Sequence, residues 1–546
     1  MKYILSIVLF WSLALSSMAQ DKQDELIFKA MNDEMERSLE QLKLPNAEPP
    51  FYLAYTLGRT RQFAVSGALG SVISVQETPW TMSGSIQMFL GDYHRNSNVG
   101  GGRLMPVSLP NDVTYDGIRR GFWQSTDVMY KASLQMFMQK TAYLKNNPLS
   151  SEEEQLDDWQ QLPAKTYREE RTLPFEIDLP TLEKIVKEVS AVFLNYKEIY
   201  NTSVAVTGVE ADVYKITSEG TSLKVPQGIV SLQVFGMIDS PEGSALMDNF
   251  SVFVRTPGEL PSVDELKRRA VALAEGLIKL KNAPRVEDFY SGPVLFEDGA
   301  VASIFSMNLL QPGALLAYRE LGKPAQGIQG DRFGRQIVDG RLTVKNYTTL
   351  DKYNGIELYG KYSVDAEGVI PQAEMTLVEN GVFKQMLNGR EPALNALKST
   401  GSSRFRLPPS EFNSMTAPGT VHVQATKTTK AAKMKDRLMK LAKAKGLQYA
   451  YIVKSVNGPS SRVFRVDVKT GEGTQMRAAN IAFVNLSKLM ALADISDKEN
   501  VDNYVWNGIC FSSLIYPAGL IVESLDINST RPKNEKAPAL KYPLQR

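Results

Sequence analysis

The sequence predicts an α+β fold in which an α+β N-terminal region is followed by a β-rich C-terminal domain. In the first part of the chain, apolar residues recur at steps of three and four over several segments, which is typical of amphipathic helices. Between these segments polar and apolar residues alternate, which is typical of strands with one buried face. Alternation prevails in the second half, where one clear helix at 430–445 interrupts it.

The helices of the N-terminal region have recognisable ends. An apolar series predicts a helix over 24–43, before Pro45 ends it. Residues Ser262 to Glu265 form a capping box, which predicts a helix that ends near Pro284. Two more helices are predicted at 116–145 and 182–196.

Short strands with glycine-containing turns between them are predicted after the break at Pro49 and Pro50. In the C-terminal half, Asn380-Gly381 predicts a hairpin, because this pair suits the positive φ angles of a two-residue turn. The predicted N-terminal strands cover 51–55, 63–65, 72–75 and 85–90, and further strands run through Val204, 213–216 and 229–235.

An acidic stretch separates two groups of predicted elements. Residues 146–174 are polar, and we predict a surface loop or linker whose carboxylates are solvated rather than metal-bound. The predicted organisation is a signal peptide at 1–20, an α+β N-terminal and central region at 21–290, and a β-rich C-terminal domain at 291–546.

The first residues have the pattern of a secretory signal. Lys2 provides a positive charge, Ile4 to Leu15 form an apolar run, and small residues lead to a predicted cleavage after Ala19 or Gln20. The apolar run is shorter than the ~20 residues that a membrane span needs. We therefore expect a periplasmic or secreted protein without stable membrane insertion.

Composition excludes several kinds of function. The sole cysteine, Cys510, rules out an intrachain disulfide and a cysteine-rich metal site. A net charge of +2 over 546 residues argues against binding to nucleic acid. The lysine-rich helix at 430–445 is compatible with membrane or nucleic-acid contact, but we favour an ordinary surface helix.

The histidine content limits the catalytic chemistry. Only His94 and His422 are present, so a helical motif that holds a metal between two nearby imidazoles cannot be built. A Cys510–His422 dyad stays open, although Cys510 lies in a predicted buried strand, where a thiol is usually inert.

A set of short segments stands in a characteristic order along nearly the whole mature chain. They are Gly91 to Tyr93, Asp116 to Lys131, Lys140 to Ala142, Thr217 to Thr221, Gly292 to Glu297, Tyr353 to Gly355, Thr376 to Gly381, Ser399 to Gly401 and Tyr516 to Glu523. In order and spacing these segments resemble the exported branch of the TldD/PmbA (TldD/TldE) family of metalloprotease-related proteins.

The resemblance implies a dimer around a large internal cavity. In the active subunits of this family a helix carries a His-Glu-x-x-x-His zinc motif, and the site hydrolyses small or unfolded peptides. Partner subunits share the fold without the motif, and the heterodimer is the working unit. Here the segment that corresponds to the metal helix is Ala300 to Lys323, which has no histidine and is interrupted by Pro312-Gly313.

No zinc ligand is therefore carried over to this chain, and no catalytic, cofactor-binding or metal residue is assigned. Glu320 is a conceivable surviving general base, but a surface role is the simpler interpretation. Zinc is expected only in a histidine-containing partner subunit.

Three functions follow from the resemblance. The preferred one is a non-catalytic subunit that pairs with a homologous TldD-like chain and completes a peptide-handling chamber. The alternatives are a peptidase that acts alone through a non-standard site, and a homodimer that binds peptides without chemistry.

Overall fold

The N-terminal half is built on one sheet of long strands. The computed structural model describes residues 2–42, 48–100, 104–320, 328–406, 414–508 and 510–530. The strands of this sheet run in the order β3-β2-β1-β5-β6-β4, with β7 paired to β6. The elements are α1 (Lys2–Gln41), β1 (Pro50–Ala68), β2 (Ser71–Leu90), β3 (Met105–Ser108), α2 (Tyr115–Asn146), α3 (Ser151–Glu154), β4 (Thr166–Arg168), α4 (Leu179–Ala191), β5 (Asn201–Thr217), β6 (Ser222–Asp239), β7 (Ala245–Val254) and α5 (Val263–Asn282).

The four short strands predicted between residues 51 and 90 are wrong in length, because they form two long ones. β1 and β2 pair antiparallel along their whole course, and they turn at Leu69 and Gly70, whose φ angles are 50° and 78°. Gly58 and Gly84 stay inside the strands instead of forming turns. At Gly84 the missing side chain gives room, since a Cβ atom there would lie 3.2 Å from the Phe122 ring of α2.

The predicted helices of this half are present and cover one face of the sheet. α1 and α2 pack on one end of the long strands, in a cluster that includes Ile27, Tyr55 and Phe122. α4 and α5 pack on the other end, around Phe63 and Leu273. The helix predicted over 24–43 belongs to α1, which ends at Gln41, and its last predicted residue lies outside the described residues.

The acidic loop differs from its prediction, because it contains the short elements α3 and β4 and because some of its carboxylates are buried. Asp158 is 3% exposed, and its carboxylate lies 2.6 Å from Lys140 Nζ of α2 and accepts a hydrogen bond of 3.0 Å from the Asn96 backbone N–H. Glu153 is buried as the capping residue of α3. A buried partner of opposite charge compensates the loss of solvation, which a count of acidic residues does not show.

The C-terminal half contains two sheets. One has the order β13-β12-β9-β16-β23-β22, and the other has the order β19-β18-β17-β8-β24-β20, with β21 paired to β24. Two short ribbons, β10-β11 and β14-β15, lie beside them. The strands are β8 (Tyr290–Glu297), β9 (Leu342–Tyr347), β10 (Lys352–Tyr353), β11 (Ile356–Glu357), β12 (Glu374–Glu379), β13 (Val382–Phe383), β14 (Ser403–Phe405), β15 (Ser414–Thr416), β16 (Thr420–Ala425), β17 (Tyr449–Ser455), β18 (Arg462–Asp467), β19 (Gly473–Met476), β20 (Ala479–Ile481), β21 (Leu492–Ile495), β22 (Glu499–Trp506), β23 (Cys510–Pro517) and β24 (Gly519–Ser529). The helices are α6 (Gly299–Leu309), α7 (Ile328–Asp331), α8 (Met434–Ala444) and α9 (Leu486–Leu489).

Two local predictions in this half are confirmed. The Asn380-Gly381 turn joins β12 to β13 with φ angles of 47° and 80°. The lysine-rich segment forms α8, which buries Met434 and Leu438 against β8 and β17 while its cations lie on the outer side. The α+β fold class is confirmed, with strands dominating after β8.

The N-terminal sheet meets the C-terminal half through the face that carries no helices. Ala211 and Val213 of β5 pack against Ala366 and Phe405. The junction between the halves is therefore a packed interface with its own small core. Among the described helices, none combines the length and apolar content of a membrane span.

Candidate functional site

The segment that the resemblance assigns to a metal helix contains a short helix and then a loop. α6 follows β8 directly and ends at Leu309, so Pro312 and Gly313 lie beyond it. Gly313 has a φ of 80°, and its N–H donates to the Leu316 carbonyl at 2.9 Å in a tight turn. The predicted interruption is confirmed, and Glu320 lies in the loop after that turn, partly buried.

The side chains of α6 are apolar or small except for the buried Asn308, whose amide group donates to the carbonyls of Ile304 and Val484. Its inner face buries Ala300, Val301, Ile304, Phe305 and Leu309. On its outer side Met307 is 57% exposed, and the Ser303 hydroxyl donates to the helix backbone at Gly299. Because the helix has no histidine, cysteine, aspartate or glutamate, it offers a metal ion no side-chain ligand of the usual kinds.

Charged residues cluster where β8 passes into α6. Lys454 Nζ lies 3.2 Å from Glu297 and 3.6 Å from Asp298, which has a φ of 53°. Burial and the charge of Asp298 raise the pKa of Asp502, although the Tyr516 hydroxyl donates to that carboxylate at 2.8 Å. In the part of the chain that the structure describes, no group of three or more His, Cys, Asp or Glu side chains could hold a metal ion.

The two histidines and the cysteine lie at separate places. His422 of β16 pairs with Ile515 of β23, whereas Cys510 begins β23. At roughly 3.3 Å per residue this register separates the two by about 16 Å, so they form no dyad. His422 Nε2 instead lies 2.9 Å from Glu499, whereas His94 lies 3.0 Å from Asp157 at the surface.

A buried network of ion pairs joins the two halves of the chain. Arg390 contacts Glu219 of the N-terminal half and lies 3.8 Å from Glu367, which in turn is 2.7 Å from Lys215 of β5. The guanidinium lies 4.7 Å from the ring centroid of Tyr52. Each charge is compensated within the network, so the network holds the N-terminal sheet and the C-terminal half in one arrangement.

A cavity of about 430 Å³ lies at the same junction, on the side of the acidic loop. Its walls come from the end of that loop, from β6, from β14 and from the start of β23. Both acidic and basic side chains line it, together with Tyr359, Tyr362, Phe405 and Phe511. Aromatic walls together with polar groups that can orient a ligand are typical of a site for a small polar molecule.

The chain is similar to known proteins both in the sequence of its C-terminal half and in its fold. Residues 290–524 match the family of PmbA/TldA metallopeptidase C-terminal domains. Over 220 residues the chain is 27% identical to a metalloprotease from Methanothermobacter thermautotrophicus, a match that covers 38% of this chain and 43% of that relative. TldE from Thermococcus kodakarensis has a similar fold, with a TM-score of 0.55 at 14% identity over 88% of this chain and 97% of that one. The sequence similarity to the TldD/PmbA family thus covers the C-terminal half, and the similarity in fold covers nearly the whole chain.

Two further solved structures extend the comparison. Both are crystal structures of proteins described as candidate modulators of DNA gyrase. The protein from Thermotoga maritima has a TM-score of 0.55 at 14% identity, over 87% of this chain and 96% of that one. The protein from Bacteroides thetaiotaomicron has a TM-score of 0.55 at 12% identity, over 93% and 99% of the two chains. These TM-scores show a similar fold.

The sequence of this chain did not indicate the charged residues of the junction. Arg390, Glu367 and Lys215 are far apart in the chain, and no local motif connects them. The available signal was a charged residue inside an alternating apolar strand, as at Lys215 in β5. A charged residue of this kind predicts a buried partner of opposite charge, but it does not indicate which residue that partner is.

Proposed function

We propose that this chain is a non-catalytic, TldD/TldE-like subunit of an exported peptidase complex. In the proposed complex it pairs with a homologous, histidine-containing chain and completes a chamber for small or unfolded peptides. The zinc ion belongs to the partner subunit. The observation that carries the proposal is α6, which occupies the place expected for the metal helix and has no side chain able to bind zinc.

The surroundings of α6 support a structural role for it. Its outer side is formed by Ser303, Ser306 and Met307, whose side chains are not among the usual ligands of zinc. The nearby acids are occupied, since Lys454 pairs with Glu297 and Tyr516 donates to Asp502. A wall made of such groups closes a chamber without taking part in hydrolysis.

An open sheet edge supports the contact with peptides. β3 pairs with β2 from Ser83 to Ile86, whereas Ser71 to Thr81 pair with β1 alone among the described strands. Ile73 on this stretch is 72% exposed. A free edge of this kind accepts an extended peptide as an added strand, through main-chain hydrogen bonds.

Export is proposed from the sequence of the first twenty residues. The charged Lys2, the apolar run from Ile4 to Leu15 and the small residues up to Gln20 have the order of a cleaved signal. We accordingly place the mature chain in the periplasm or outside the cell.

Affinity purification of the tagged chain from its native envelope fraction, followed by metal analysis and a peptidase assay, tests the proposal. We expect a complex with a histidine-containing homologue, with zinc in the complex and hydrolysis of an unstructured peptide that a chelator abolishes. The control is the isolated chain with added zinc, which should neither retain the metal nor hydrolyse the peptide.

Two results would replace the proposal. Hydrolysis by the isolated chain that is lost in Glu320→Gln would establish a peptidase that acts alone. A stable homodimer that binds peptides and never associates with a histidine-containing homologue would establish a binding protein instead.

A further inference from the structure

The cavity at the junction of the two halves contains charged groups that are mostly paired. Arg171 lies 2.9 Å from Asp212 and 3.1 Å from Glu210. Lys361 lies 2.7 Å from Asp351. These pairs compensate each other and leave little attraction for an ion from outside.

Arg255 is compensated in the same way, because its guanidinium contacts two carboxylates. It lies against Glu259 and 2.7 Å from Glu357. Arg171, Arg255 and Lys361, which all line the cavity, therefore each have at least one anionic partner.

Arg404 is different, because it has no ion-pair partner among the described residues and one of its guanidinium nitrogens donates to no acceptor there. The guanidinium lies 3.8 Å from the ring centroid of Tyr362, which fixes its plane against an aromatic wall. Its Nη1 atom is buried and has no hydrogen-bond partner within the described residues. The guanidinium that lines the cavity has no carboxylate within ion-pair distance in the part of the chain that the structure describes, so it favours a ligand that brings one.

Glu169 provides the opposite charge in the same cavity. It accepts a long hydrogen bond of 3.4 Å from the Tyr167 hydroxyl. Burial raises the pKa of Glu169, and the positive charge of Arg404 lowers it by less. A cation or an N–H donor beside this carboxylate would stabilise its charged form.

The cavity that Arg404 and Glu169 share is also lined by aromatic rings. Tyr359, Phe405 and Phe511 line the cavity together with Arg404 and Glu169. Its volume of about 430 Å³ lies within the range of roughly 300–1,000 Å³ that is usual for small-molecule sites. The ligand that matches has one negative end, one positive end and an apolar middle.

We propose that this cavity binds a short peptide with free termini, with its C-terminal carboxylate on Arg404 and its amino group on Glu169. The aromatic walls take the apolar side chains in between. The inference goes beyond the proposed function, because the cavity lies within a single chain and needs neither a partner subunit nor zinc. It can therefore fail while the proposed complex stands, and the reverse also holds.

Calorimetric titration of the purified full chain with the tripeptide Ala-Phe-Ala tests the proposal. Three forms are compared, the free tripeptide, its C-terminal amide and its N-acetyl derivative. We expect the free tripeptide to bind and each blocked form to bind about tenfold more weakly or worse, because each loses one charge-assisted contact. Equal affinity for the free acid and the amide, or no binding of the free tripeptide, would overturn the proposal.

Variants of Arg404 and Glu169 test which side chain binds which end of the peptide. Arg404→Gln should abolish the preference for the acid over the amide, and Glu169→Gln should abolish the preference for the free over the acetylated amino group. The matched control is Arg268→Gln on α5, where the side chain is 71% exposed and outside the cavity, and it should bind like the unmodified chain. A preference for the acid that survives Arg404→Gln in a folded protein would refute the assignment of Arg404.

Discussion

Asp365 is a buried carboxyl group whose ionisation depends on its surroundings. Burial and the negative charge of Glu367 raise its pKa to about 7, against the backbone N–H groups of Glu367, Val369 and Ser403, which donate to it. In the unfolded chain an aspartate has a pKa of about 3.9. The folded chain therefore binds one more proton than the unfolded chain in the interval between these values.

This difference predicts how stability depends on pH. The contribution of Asp365 to the free energy of unfolding is fully present below about pH 4 and is lost as the pH rises through about 7. We expect chemical denaturation to show a decrease in stability between pH 5 and pH 8 that is smaller in Asp365→Asn, whatever the absolute stability of the variant. The same decrease in both proteins would show that another group titrates.

Cys510 gives a second prediction for a single residue. Its side chain is 5% exposed, and burial raises the pKa of the thiol. Because the thiolate is the reactive form, we expect a thiol-specific reagent to modify the folded chain slowly and the denatured chain rapidly. Rapid labelling of the folded chain would contradict the inert role that the sequence predicts for this residue.

Among the secondary-structure elements, the helices were easier to predict from the sequence than the strands. Apolar spacing and end signals placed α2, α4, α5 and α8 to within a few residues. The sequence predicted four short strands in place of β1 and β2 because glycines usually interrupt strands. Gly84 instead lies inside β2 and permits α2 to pack closely on the sheet. Whether a glycine turns the chain or makes room for a neighbour depends on a contact that is distant in the sequence.

Two glycine substitutions test this interpretation of the elements. In Gly84→Ala the new Cβ would lie 2.9 Å from the Thr56 carbonyl oxygen, so we expect a loss of about 1–3 kcal/mol in the free energy of unfolding. Gly276→Ala is the matched control in α5, where nothing lies within 4 Å of the new Cβ. There the change should stabilise the helix by about 0.5–1 kcal/mol. Thermal unfolding of both variants measures these opposite changes in stability. If Gly84→Ala were more stable than the unmodified chain, the close packing around Gly84 would be contradicted.

For the whole molecule, Arg390 determines how the halves are joined. Its side chain is 3% exposed and lies between Glu219 and Glu367. Arg390→Met leaves Glu219 buried without its cation and leaves Glu367 with Lys215 alone, so we expect a loss of about 3–5 kcal/mol. Arg268→Met on the surface is the control and should change stability by about 0.5 kcal/mol or less. Denaturant unfolding measures the free energy of unfolding of both variants. If Arg390→Met lowered it as little as Arg268→Met does, the network would not stabilise the junction.

The sequence predicted the fold class and the lack of zinc ligands in the α6 segment, but it did not predict the junction. The fold class follows from periodicity, and the missing imidazoles follow from composition alone. Arg404 and Glu169 line one cavity only because β14 and the end of the acidic loop meet in three dimensions. No spacing in the chain encodes that meeting, so the candidate peptide cavity could be found only in the structure.

The Arg390 network also constrains how such a chain can change over generations. A substitution that removes Glu219 or Lys215 from the N-terminal half leaves an uncompensated charge in the other half. Acceptable changes at these positions must therefore arise in compensating pairs across the junction. A chimaera that joins this N-terminal half to a relative's C-terminal half would fold well only if it inherited the matching charges as a set.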